Sequence, residues 1–175
     1  TALLQAPFFM IAHAVAINSS YESDGFSAPY QFMVSMAALF YLFIGLIALL
    51  KLLKLYRISD FNSGIAVLLI FFGTNLFYYS VIAGSMSHVY SFSAITCFAL
   101  MIKKLLGTGR LKFLYSASFL YALIILIRPT NGIVILLPLV LSNNKTELLN
   151  LGIVLFKKWY RLVLAIFIFV STLSI

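Results

Sequence analysis

Seven apolar runs, at roughly residues 2–17, 32–53, 63–83, 89–102, 113–127, 133–141 and 162–175, alternate with six short polar connections. A helix needs about 20 predominantly apolar residues to cross a bilayer. The pattern therefore predicts an all-α fold, a polytopic transmembrane helical bundle forming a single membrane-embedded module over residues 1–175. Some runs depart from that length. Runs 113–127 and 133–141 are short, and are read as two short spans or as a re-entrant pair meeting at "RPTN". Irregular backbone at membrane depth survives only where protein or a water-filled cavity covers it, so a cavity near Arg128 is expected. Residues 2–17, with Gln5, Pro7 and His13, read as a surface helix or a truncated span. The chain begins at Thr1 and ends inside the run 162–175, which is too short to span, so it reads as a fragment of a longer protein.

Charge orients the pattern. Connections 51–62, 103–112 and 142–161 hold eleven of the twelve Lys and Arg, and Arg128 is the twelfth. Loop 18–31 carries Glu22 and Asp24 with no basic residue, and 84–88 has no Lys or Arg. Positive residues favour the cytoplasmic side, which puts the three basic connections inside and the other three outside. Lys51, Lys54 and Arg57 are spaced to share a helix face, and "KKWYR" at 157–161 reads as an interface anchor. The inner ends thus carry flexible lysines. Composition agrees: 63% hydrophobic, 9% charged, mean hydropathy +1.11, against about 25% charged in soluble domains. The net charge of +8 is split into flanking clusters, which argues for topology and for no nucleic acid partner. A lone Cys97 in an apolar run reads as packing.

The outer ends carry different chemistry. Asp24 in "DGFSAPY", Asn75 in "GTNLFYYS", His88 and Tyr90 in "SHVYSF", and Arg128 with Asn131 in "RPTN" all map outside or just beneath. Arg128 defies the charge bias, and the neighbouring apolar runs contain no acidic residue. A charge at membrane depth is costly unless paired. An anionic ligand would pair it, and a lipid phosphate at headgroup depth suits a guanidinium fork; snorkelling to ordinary phospholipid is the competing reading. His88 can donate, accept or change charge near neutrality, or cap a helix. Asp24 is a candidate base or the corner of an ordinary turn. Tyr78, Tyr79 and Tyr90 stack on sugar or form an aromatic belt. No metal site is expected, because His88 lacks an HxxxH or HExxH partner.

Five stretches, "LLQAPFFMIAH", "DGFSAPYQ", "FFGTNLFYYS", "SHVYSF" and "LIRPTNGIVILLP", together resemble the amino-terminal membrane module of bacterial GT-C glycosyltransferases. The aminoarabinose transferases of lipid A and the protein O-mannosyltransferases are the nearest relatives by this resemblance. It implies an integral membrane glycosyltransferase of the bacterial inner membrane, with its active site facing the exterior. The implied substrate is a polyprenyl-phosphate sugar, with membrane lipid as the other partner. Cofactors stay open, a divalent cation included. By that comparison residues 2–17 correspond to a surface helix, and the family's first acidic residue would precede Thr1. His88 stands where relatives often place another acidic residue, and Arg128 would contact the carrier phosphate. His88 and Asp24 are then the catalytic candidates; Arg128, Asn131, Tyr90 and Asn75 are the substrate-binding ones. A transporter, a flippase or a polysaccharide polymerase subunit is the alternative. A transporter usually places ionisable residues near the midplane, and none lies centrally in a run here.

Overall fold

The computed structural model describes residues 1–174 except Lys158, and leaves the side chains of residues 150, 151, 154–157 and 161 undescribed. The "KKWYR" anchor therefore falls partly outside the described residues; within it, Trp159 and Tyr160 are exposed. All regular structure among the described residues is helical: α1 Ala2–Ile17, α2 Ala28–Leu55, α3 Asp60–Gly73, α4 Leu76–Val81, α5 Ser87–Thr108 and α6 Lys112–Ile127. A 3₁₀ helix, Pro129–Leu136, then leads into α7 Leu137–Leu141, α8 Lys145–Lys157 and α9 Trp159–Leu173. Helices α2 and α5 are long and apolar enough to cross a membrane.

Helix α5 is the core. It packs against α2 on one side and α6 on the other, with α9 behind α6 and α1 outside α2. Small residues let the first pair approach: Ala48 and Ala99 are buried between α2 and α5. At Gly45, the position of a Cβ lies 2.7 Å from Phe92 Cε1 and 3.0 Å from Ser93 Cα, so only glycine fits. The α5–α6 seam is built from Ala94, Phe98, Ile102 and Leu106 against Ala117 and Ile124. Gly109, at φ 62°, closes α5 in the left-handed conformation, its N–H on Leu105 O at 2.8 Å. A glycine just past the last turn is a common helix stop.

Helix α1 runs antiparallel along the first half of α2. Leu4 and Phe8 pack by Ala37, Ala38 and Tyr41, and Ala12 and Ala16 pack by Tyr30 and Met33. His13 Nδ1 and the Tyr30 hydroxyl are 2.6 Å apart, and Gln5 Nε2 donates to Tyr90 Oη at 3.0 Å. The helix stands beside α2 rather than across it.

Two runs break where the hydrophobic pattern is continuous. Run 63–83 divides into α3 and α4 because the Thr74 hydroxyl donates to Ile70 O at 2.6 Å and accepts from Leu76 N–H at 3.2 Å, offering the backbone an alternative to the helix ladder. The region 113–141 is an antiparallel pair: α6, then the 3₁₀ helix with α7 returning. Sixteen residues of α-helix rise about 24 Å, and eight of 3₁₀ plus five of α-helix rise about the same, because a 3₁₀ helix climbs 2.0 Å per residue. The extended coil is how thirteen residues match sixteen.

Hydrogen bonds across the bundle gather the connections at two ends. At one end Leu141 O accepts from Tyr56 Oη at 2.9 Å and from Lys103 Nζ at 2.8 Å, joining all three basic connections. At the other, Arg128 reaches Ser87 and His88, and Gln5 reaches toward Ser85. This is the grouping the charge pattern implies.

Lys103 corrects the expectation of flexible inner lysines. It is 6% exposed, its ammonium also donates to Asn143 Oδ1 at 2.9 Å, and it lies 4.4 Å from the centre of the Tyr56 ring. Glu147 accepts from Asn143 N–H and Nδ2, at 2.9 and 3.0 Å. The backbone N–H of Asn143 is the main cause that holds this carboxyl below its usual range. Arg57 also leaves the face predicted for it. Its φ is 59°, and it occupies the left-handed position of a helix-ending turn, with Ile58 N–H on Leu53 O and Arg57 N–H on Lys54 O. That turn stops α2 where Tyr56 meets Leu141.

Lys103→Met keeps the stem but strands Asn143 Oδ1 without its cationic donor. It is expected to cost about 2 kcal/mol, the scale of a hydrogen bond to a charged group. Thermal unfolding in detergent, followed by circular dichroism, measures this. An unchanged midpoint would mean that the network contributes nothing.

Candidate functional site

The polar cluster lies where α5 begins and α6 ends. Pro129 lacks an N–H and biases the residue before it toward extended backbone; Arg128 obeys, at φ −152° and ψ 115°. The chain turns there, and the guanidinium points to the first turn of α5. Arg128 Nε donates to Ser87 Oγ at 2.7 Å, and Nη2 lies 3.3 Å from His88 Nε2. One turn into the 3₁₀ helix, Asn131 Nδ2 donates to Ser91 Oγ at 3.1 Å. Two pairs thus interlock: Ser87 and Ser91, four apart on α5, meet Arg128 and Asn131, three apart.

His88 stacks on Tyr79, with ring centroids 3.9 Å apart and planes 16° from parallel. It opens onto a hollow of about 390 Å³, lined also by Thr74, Asn75, Tyr79 and Phe92. The break between α3 and α4 delivers Asn75 there, exposed and with no side-chain capping bond. His88 thus bonds Arg128 and shares the hollow with Asn75, while Asn131 is held one turn further along α5 by Ser91. Arg128 is not among the residues lining this hollow and reaches its wall through His88.

Tyr90 and Asp24 stand apart. Tyr90 is fully buried; its hydroxyl accepts from Gln5 and donates to Gly84 O at 3.1 Å. That leaves no surface of Tyr90 for a ligand, and its role is to hold the turn that precedes Ser87. Asp24 Oδ1 accepts from Phe26 N–H at 2.8 Å and Ser27 N–H at 3.0 Å, the turn reading of "SDG". The Phe26 N–H, then that of Ser27, push its carboxyl below the usual range, which weakens it as a proton acceptor. No hydrogen bond between described residues ties Asp24 to Arg128 or His88.

The cluster is neutral apart from one cation. The groups on the guanidinium are a hydroxyl and an imidazole, not a carboxylate. The guanidinium donors suit an oxyanion. Among the described residues, no group of three His, Cys, Asp or Glu comes together. Sequence reasoning missed Ser87 and Ser91, although their spacing beside His88 marks one helix face. No family model, curated protein or solved structure matches this chain.

Proposed function

We propose that this chain is the membrane module of a glycosyltransferase that takes a sugar from a polyprenyl-phosphate carrier on the outer face of a bacterial inner membrane. On this reading the bundle crosses the bilayer several times, with the shorter helices α1, α3 with α4, α6 and the 3₁₀–α7 segment accompanying α2 and α5. The observation that carries it is Arg128: a guanidinium held by neutral groups, at the end of the bundle opposite the basic connections, and bonded to the histidine that opens onto a hollow. From Ser87 to Lys103 along α5 is about 24 Å. Cations thus sit near both limits of a hydrocarbon layer about 30 Å thick and none at its centre, as an outward phosphate site requires and a midplane transport site does not.

In the transfer, the acceptor's nucleophile gives its proton to a base and attacks the anomeric carbon, and the carrier phosphate leaves with the bonding pair. Arg128 stabilises that growing charge with its guanidinium donors. Asn131, Asn75 and Tyr79 offer amides and an aromatic face to the sugar. The test uses the full-length protein in nanodiscs with polyprenyl-phosphate hexose and pentose donors. Donor loss with release of free polyprenyl phosphate is the expected result. Intact donor in every case, with acceptor extracts present, rejects the enzyme.

A further inference from the structure

The bond between Arg128 and His88 fixes a proton. A guanidinium has donors only and stays charged, so His88 Nε2, 3.3 Å from Nη2, is the acceptor. The imidazole is then neutral, with its proton on Nδ1, and its lone pair is spent on Arg128. That is the wrong state for a general base. The Nε–Nη2 edge of the guanidinium is committed as well, to Ser87 and His88, so an anion that takes this edge must displace one of them.

We infer that an anion enters by parting the Arg128–His88 bond, and that His88 takes up a proton at Nε2 as it does so. This rests on the reading of the site as a phosphate site and adds His88 as a binding residue within it. Once Arg128 turns to a phosphate oxygen, the Nε2 lone pair faces negative charge, a repulsion amplified by the low dielectric at a membrane boundary. Protonation converts that lone pair into a second donor. The step balances: neutral imidazole, one proton from solvent and a monoanionic phosphate diester give an imidazolium and a guanidinium sharing one anion. Before binding, the imidazolium would face the guanidinium alone, so neither event occurs readily without the other.

The surroundings isolate this titration. Tyr79 from α4 covers one face of the ring, at 3.9 Å between centroids. Thr74 and Asn75 from the α3–α4 break are neutral, and Ser87 is its neighbour on α5. Arg128 is the charged group that touches His88, and none of the residues lining the hollow is a carboxylate. No acidic side chain is placed there to hold an imidazolium, so the incoming anion must.

The experiment is calorimetric titration of dibutyl phosphate into the full-length protein in zwitterionic nanodiscs, repeated in buffers of different ionisation enthalpy. A diester stays a monoanion across the range, so protons exchanged belong to the protein. Near pH 8 the expected uptake is close to one proton per diester. Affinity falls by up to about tenfold for each pH unit above neutrality. His88→Gln offers Arg128 an amide oxygen and cannot protonate; it is expected to bind with no proton uptake and a flat pH profile. Binding by wild type without proton uptake, or uptake that persists in His88→Gln, overturns the inference while the phosphate site stands. Absence of binding at every pH overturns the phosphate site and the inference with it.

Discussion

Arg128→Ala is expected to weaken binding of a phosphate diester by roughly fiftyfold to a hundredfold, about 2–3 kcal/mol, the scale of hydrogen bonds to a charged group. The same change removes the links to Ser87 and His88. Part of any loss could then come from a displaced turn. Arg128→Lys separates the two effects, because it keeps the charge but not the fork. Its affinity should fall between alanine and wild type. Binding by calorimetry, set beside thermal unfolding in detergent, distinguishes a lost ligand contact from a lost fold. An alanine variant with wild-type affinity would remove Arg128 from the site, and the proposed enzyme would lose its carrier contact.

The second large effect is expected in the core. Gly45→Leu should destabilise the bundle by about 1–3 kcal/mol, the usual cost of overpacking. A Cβ there falls 2.7 and 2.8 Å from two Phe92 ring carbons and 3.0 Å from Ser93 Cα. Phe92 cannot swing freely, because it packs by Leu42, Leu76 and Val89. Even alanine, which gains about 1 kcal/mol of helix propensity over glycine, meets the same atoms. The change should reach the site as well, since Phe92 also lines the His88 hollow. A lowered unfolding midpoint, partly restored by adding Phe92→Ala, is the expected pattern. A midpoint equal to wild type would show that α2 and α5 separate there without cost.

The charge alternation made the two ends of the bundle legible before any coordinates, because it depends on side-chain type and not on packing. It placed His88, Asn75, Arg128 and Asn131 on one end, where they meet. Contacts between distant segments were not legible. Lys103 looks like any flanking lysine until Leu141, 38 residues later, returns to accept from it. Tyr90 looks like a belt or platform tyrosine until Gln5, 85 positions away, closes over it. Arg57 in a left-handed position breaks a rule that favours glycine, and no local pattern announces it. The break at Thr74 had a local signal in "GTN", overridden in the reading by the apolar residues on both sides.

The 3₁₀ helix makes the chain between Arg128 and Leu141 a ruler with a coarse scale. At three residues per turn, Asn131, Val134 and Leu137 fall in one line; the first donates to Ser91 and the other two pack on the α5–α6 seam. One residue inserted or deleted rotates that line by about 120° and turns Asn131 away from Ser91. Three residues removed would preserve the line yet draw the guanidinium about 6 Å toward the opposite end. Length here is therefore quantised, and the depth of the guanidinium is written into the number of residues as much as into their identity.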